Sequence, residues 1–358
     1  MPFDSTPHLL IPFAACSAEA WLPAMQSLPP GSLKRLGQLL QGMKLVQTDT
    51  RPAESLSPPH ERALARALGL ATLQTPDGLI PWAAREAAQQ LQAGDDGKAW
   101  AWITPCHWAM GHLHATLSDP ALLDLQKAES RALLGLMQPY FETDGITLHD
   151  LAPGRWLAEG ALFRDLPTAS LDRVLARNVD AWLPQASAAL PLDSALHEMI
   201  KADSRTLRRL QNEMQMLLYT HAFNDERAAK GQMPVNSFWV SGTGALPSAA
   251  SGEALTPTLS QRERESDTAS RKEQVSVPRS LAQAVFREDW AGYAQAWAAL
   301  EAGDIAALLA RQRAGESVRL TLCGESSAHT FETHRASLYR RISSLFSPLR
   351  TLDVLKQL

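Results

Sequence analysis

The sequence predicts an α/β protein with a mixed sheet flanked by helices. Its 358 residues, 45% of them hydrophobic, are enough to bury a sizeable core without metal or disulfide staples. Helical and strand-like spacings of apolar residues alternate along the chain, which favours a sheet covered by helices. No apolar run approaches the roughly 20 residues that a bilayer-spanning helix needs, so we expect no membrane partner.

The first part of the chain begins with a strand and continues through short helices. The apolar stretch at 9–16 predicts a buried opening strand, with Cys16 as a small core residue. Helical spacing follows at 18–43, 57–70 and 81–91. The stretches 99–104 and 107–117 are rich in aromatic and branched residues, which predicts two strands near the middle of a sheet.

The second part contains the longest helical pattern. Its predicted elements are a helix at 122–141, a strand at 146–151 with a hairpin partner from Arg155, a long helix at 192–230 and a strand at 235–241. The apolar face of the long helix becomes polar at His221 and Asn224, so these side chains should point to the interior or a cleft.

The segment 246–277 breaks every pattern. It is rich in Ser, Thr, Pro and charged residues and has no apolar face, which predicts a disordered insert. The remaining predicted elements are a helical stretch at 290–309, a pair of strands at 318–323 and 329–332, and a basic terminal helix from His334. We therefore expect one α/β unit, made of 1–245 and 278–358, that carries a flexible insert at 246–277.

Charge and cysteine content restrict the partners and the compartment. A formal net charge of -4 argues against a general nucleic-acid binder. Cys16, Cys106 and Cys323 are far apart and match neither a disulfide framework nor a CxxC metal clip. A cytoplasmic protein without nucleic-acid or membrane partners is the expectation.

Three histidines form the densest cluster of possible metal ligands. On a strand, His112 and His114 share one face while His107 points the other way. A metal site therefore needs a third ligand such as Asp119 or His149. Ordinary polar strand residues are the alternative interpretation.

The sequence Gly242-Thr243-Gly244 after a predicted strand has two interpretations. Glycine lets backbone amides approach an anion closely, so this stretch could hold a phosphate. No P-loop or dinucleotide-binding fingerprint accompanies it, so a simple tight turn is the alternative.

The stretch 221–244, HAFNDERAAKGQMPVNSFWVSGTG, carries a more specific pattern. Asn224 and Arg227 lie one helical turn apart, Gly231 and Pro234 define the helix exit, and Asn236 begins a strand. This resembles the N-x-x-R-x-x-x-G-x-x-P-x-N-x-x-x-x-x-G-x-G stretch of archaeal-type cofactor-independent phosphoglycerate mutases, members of the alkaline phosphatase superfamily. Over a longer span the chain resembles RpfE-type bacterial regulatory proteins, on residues at 104–108, 129–133, 137–141, 166–170, 210–216 and 234–239.

The resemblance implies a phosphomutase-like fold and a set of ligand-binding residues. These are His221, Asn224, Arg227, Asn236, Gly242 and Gly244. The mutases use a Ser or Thr nucleophile and two divalent metals held by Asp and His. Here the first strand leads into Pro12-Phe13-Ala14-Ala15-Cys16, and Cys323-Gly324-Glu325-Ser326-Ser327 brings no Asp-His pair at the other end. The catalytic residues therefore stay unassigned.

Three functions remain open at this point. We expect a regulatory or binding protein for an unknown small anionic ligand, without a cofactor or a catalytic metal site. The alternative is a metal-dependent phosphoglycerate mutase or phosphatase-like enzyme that uses Mn or Mg, with ligands such as His107, His112, Asp119 and His149. A scaffold without a small ligand is the third, favoured if Asn224, Arg227 and Asn236 are buried and paired only with one another.

Overall fold

The computed structural model describes residues 6–91, 97–111, 114–185, 194–246, 275–334 and 351–358. The chain divides into two compact units: unit 1 comprises 1–72 and 260–358, and unit 2 comprises 73–259. From the sequence we expected one α/β unit, 1–245 with 278–358. Most of the expected insert, 247–274, lies outside the described residues, so its flexibility stays a prediction.

The strands in chain order are β1 (His8–Ile11), β2 (Met43–Thr50), β3 (Ala99–Cys106), β4 (Trp108–Met110), β5 (Ala115–Leu117), β6 (Thr147–Ala152), β7 (Arg155–Glu159), β8 (Ser237–Ala245), β9 (Val275–Ser276), β10 (Arg319–Cys323) and β11 (Ser327–Thr333). The helices are α1 (Trp21–Gln26), α2 (Lys34–Gln41), α3 (Pro59–Ala67), α4 (Trp82–Gln90), α5 (Lys127–Glu142), α6 (Leu171–Val174), α7 (Ala195–Tyr219), α8 (Ala222–Ala229), α9 (Ser280–Phe286), α10 (Trp290–Ala302), α11 (Asp304–Arg313) and α12 (Thr351–Leu355). Short 3-10 turns cover Pro120–Leu123, Ala161–Phe163 and Val179–Trp182.

Unit 1 contains a mixed five-stranded sheet in the order β2-β11-β10-β1-β9. Strand β1 runs parallel to β10 and β9, and β11 runs antiparallel to β10 and β2. All four residues of β1 are buried, because helices cover both faces of a central parallel strand. One face packs on α1, α2 and α9 to α12, and α3 lies against the other. The predicted α/β class with a mixed, helix-flanked sheet is confirmed.

Unit 2 contains a four-stranded antiparallel sheet in the order β6-β7-β3-β8. One face, with Ile103, Trp156 and Phe238, packs on α5 and α7. The other face, with Trp100 and Leu157, packs on the alanines of α4. This sheet positions the segment 221–244, since α7 and α8 lead into its edge strand β8.

Three local expectations are corrected, and one strand, β2, was not predicted. The stretch 107–117 forms a hairpin of β4 and β5 instead of one strand. The long helix ends at Tyr219, because His221 leaves the helix to cap α8. Strand β2 has most of its side chains exposed, so it lacks the alternation that would have revealed it. The insert boundary moves, since Val275 and Ser276 pair with β1 while Val275 packs near Leu10. Among the described residues, no helix has both the length and the apolar character needed to cross a membrane.

Candidate functional site

The mutase-like segment, residues 221–244 of unit 2, begins at the junction of α7 and α8. His221 is the N-cap of α8, and its Nδ1 accepts a hydrogen bond of 3.1 Å from the backbone N–H of Phe223. Gly231 ends the helix region with a φ of +69°, a conformation that favours glycine. The histidine imidazole therefore has a local structural partner, as a capping residue does.

Arg227 is the most deeply buried charged side chain of this segment, with 1% of its surface exposed. Its Nε donates to the carbonyl of Met233 at 2.9 Å, its Nη1 donates to Glu129 at 3.2 Å, and its Nη2 donates to the carbonyl of Leu123. Glu129 also accepts the backbone N–H of Gln126 at the start of α5. The guanidinium thus joins α8, the start of α5 and the 233–236 connection.

The side-chain amides of Asn224 and Asn236 both donate hydrogen bonds to, and accept them from, backbone groups. Asn224 donates to the carbonyls of Leu218 and Val235 at 3.0 and 2.8 Å and accepts the N–H of Val235 at 3.0 Å. Asn236 accepts the N–H of Trp108 at 2.7 Å and donates to the same residue's carbonyl at 3.0 Å. A carboxylate could not make these reciprocal bonds, because it has no donor.

Gly242 and Gly244 lie inside β8, not in a turn after it. A Cβ at Gly242, where φ is +64°, would lie 2.8 Å from Cε3 of Trp102. At Gly244, where φ is +135°, it would lie 3.1 Å from Cβ of Pro81. The glycines therefore allow close packing of the sheet against the start of α4. The hydroxyl of Thr243 is buried between them and donates to the carbonyl of Leu166 at 2.7 Å.

The proposed histidine ligands have separate surroundings. His107 Nδ1 lies 2.9 Å from the carbonyl oxygen of Pro234, and Asp119 accepts the N–H of Ala121. His149 packs against Trp100 with ring centroids 5.4 Å apart, and its burial lowers the pKa of the imidazole. His114 is exposed, and His112 lies outside the described residues. Within the described part of unit 2, these side chains form no group of three metal-ligating residues.

The two buried cysteines have no catalytic character. Burial raises the pKa of the Cys106 and Cys323 thiols far above the ordinary value, so neither forms a thiolate at neutral pH. Cys16 is partly buried and reduced.

Sequence reasoning missed Glu129 as the partner of Arg227. The available signal was the Gln126-x-x-Glu129 spacing, which resembles a capping box at the start of α5. That pattern predicts a helix start, whereas the pairing with Arg227 depends on a contact between residues 98 positions apart.

Comparison with known proteins gives limited similarity. No family model matches the chain, and no curated protein matches it. The cofactor-independent phosphoglycerate mutase from Thermoplasma acidophilum is similar with a TM-score of 0.33 and 11% identity, over 93% of this chain and 91% of that chain. The PH0037 protein from Pyrococcus horikoshii is similar with a TM-score of 0.40 and 9% identity, over 92% of this chain and 87% of that chain. TM-scores below 0.5 assign neither fold nor activity.

Proposed function

We propose that this chain is a regulatory or binding protein related to cofactor-independent phosphoglycerate mutases and that it acts without a catalytic metal site. The main support is the state of Arg227, whose Nε, Nη1 and Nη2 each donate to a protein acceptor. An arginine that binds a substrate phosphate needs a donor edge open to the ligand. The mutase-like segment is therefore best explained as a structural clamp.

The carboxyl ends of the parallel strands β1 and β10 give further support. Open α/β sheets gather ligands at this edge. Here the hydroxyl oxygen of Tyr293 lies 2.9 and 3.1 Å from the carbonyl oxygens of Phe13 and Ala14, which share its one proton, and Glu325 accepts the N–H of Ser17 at 2.8 Å. Two catalytic cations need several carboxylate and imidazole ligands, and residues 12–16, which directly follow β1, contain neither group.

Direct ligand contact by His221, Asn224, Arg227, Asn236, Gly242 and Gly244 stays a prediction. The scaffold interpretation required Asn224, Arg227 and Asn236 to pair only with one another. Instead, the two asparagines bind backbone groups and Arg227 binds Glu129. Calorimetric titration with 3-phosphoglycerate separates the two roles. Binding that is lost in Arg227→Lys without loss of stability would establish direct contact.

Metal analysis combined with a coupled mutase assay tests the proposal itself. We expect no stoichiometric Mn, Zn or Mg in the purified protein and no turnover above background with added Mn²⁺ or Mg²⁺. Without two cations, most of the electrostatic stabilisation of phosphoryl transfer is lost. The matched variants are a triple alanine variant of His107, His112 and His114, and His197→Ala as a histidine control.

The enzyme alternative has a distinct result. Turnover above about 1 per second that disappears in the triple variant and persists in the His197→Ala control would overturn the proposal.

A further inference from the structure

A buried charged cluster lies in unit 1. Asp49, near the end of β2, accepts a hydrogen bond of 3.1 Å from Nε of Arg62 and forms an ion pair of 2.6 Å with Nη1 of Arg66. Both arginines lie on α3, one helical turn apart. Asp49 and Arg62 are 8% and 5% exposed, so the pair is largely removed from water.

The hydrogen bonds of Arg62 are incomplete. Nε donates to Asp49, and Nη1 donates to the carbonyl of Ser57 and lies 3.4 Å from the hydroxyl of Ser55. Nη2 is buried and has no acceptor among the described residues. A buried donor on a charged group without an acceptor costs more free energy than a neutral one.

The charges of the three side chains do not balance. Burial raises the pKa of Asp49, but the hydrogen bonds and charges of Arg62 and Arg66 outweigh that effect and lower it overall. Asp49 is therefore ionised at neutral pH, and one carboxylate faces two guanidinium groups. A surplus positive charge in a largely dry environment favours a bound anion.

The position of the cluster in the sheet also favours an anion-binding site. Asp49 pairs with Ala328, close to Cys323, the last residue of β10. Cys323 belongs to the same buried cluster as Ala328 and as Ala63 of α3, the helix that carries both arginines, which places the charged cluster beside the carboxyl end of β10. Ligands of α/β sheets collect at the carboxyl ends of the parallel strands.

We propose that Arg62 and Arg66 form a binding site for a small oxyanion, a phosphate or a carboxylate, with Nη2 of Arg62 as the donor that completes it. The site lies wholly in unit 1 and is independent of the proposed function. A guanidinium suits this role because it keeps its charge when buried and presents several donors in a fixed plane.

Titration of the full chain with inorganic phosphate, and separately with acetate, tests the site and distinguishes the two anions. Both titrations use chloride to hold the ionic strength constant. We expect a saturable rise in melting temperature with at least one of the two anions. Arg62→Lys should weaken the binding at least tenfold, since an ammonium cannot replace the planar fork. Arg319→Lys, in the partly buried pair with Glu332, is the matched control and should leave the binding unchanged.

Asp49→Asn gives a second readout with the opposite sign. It removes the carboxylate that competes for both arginines, so the anion should bind at least threefold more tightly. If Arg62→Lys does not fold, this variant decides. No saturable stabilisation by either anion, equal binding in Arg62→Lys, or no gain in Asp49→Asn would each overturn the proposal.

Discussion

Replacement of Arg227 by alanine should destabilise unit 2 strongly. The guanidinium is almost fully buried and makes three hydrogen bonds, one of them to Glu129, whose side chain is 18% exposed. Alanine leaves the carbonyls of Met233 and Leu123 without this donor and Glu129 without its buried cation. A charge-assisted bond contributes about 1.5–3 kcal/mol, and each abandoned buried acceptor costs about 1–3 kcal/mol. With partial access of water, we expect a loss of about 4 kcal/mol.

Urea denaturation followed by tryptophan fluorescence and circular dichroism measures this loss. For a unit of this size, it corresponds to a fall in melting temperature of about 8–16 °C. Arg227→Lys should lose about 2 kcal/mol, because one ammonium cannot reach three divergent acceptors. Arg208→Ala is the matched control on the exposed side of α7 and should stay within about 0.5 kcal/mol of the parent.

A small effect would refute the clamp. If Arg227→Ala lost less than about 1 kcal/mol, the three hydrogen bonds could not be the reason for this arginine. A simultaneous loss of phosphate or phosphoglycerate binding would identify Arg227 as a ligand-contacting residue.

Three further predictions concern packing, capping and the insert. Gly242→Ala should lower the free energy of unfolding by about 3 kcal/mol, because the added Cβ meets Trp102 at a positive φ. Gly231→Ala has open space around its Cβ and should lower it by about 1 kcal/mol. Urea titration of both variants should show this ranking, and equal losses would contradict it. Glu301→Ala should cost about 2–3 kcal/mol, since this buried carboxylate accepts the first-turn N–H groups of α2 at 2.8 and 3.0 Å; a loss below about 1 kcal/mol would show that water replaces it. Deletion of 248–272 with a short Gly/Ser linker should change the melting temperature by less than about 3 °C in differential scanning calorimetry. A longer deletion that also removes β9 should lower the melting temperature further, because β9 pairs with β1.

Several elements follow from short-range patterns. The opening strand is a continuous apolar run, and α5 and α10 show helical spacing with polar residues or turns at their ends. These features depend on neighbours a few positions apart, which the sequence displays directly.

Other features depend on partners far apart in the chain. Strand β2 has no apolar alternation, and only its pairing with β11 makes it a strand. The sequence placed Asn224, Arg227 and Asn236 around one helix exit, but it did not supply the acceptors that hold Arg227. The arginine has the same residue type and spacing whether it binds an anion or a carbonyl.

The sequence by itself determined the α/β class and most of the helices. Tertiary structure decided the pairing of β1 with β10, the use of Gly242 and Gly244 for packing, and the cluster of Asp49 with Arg62 and Arg66. The physical reason is that a side chain's role depends on burial and on the partners within hydrogen-bond reach. Residues distant in sequence supply both, and only folding brings them together.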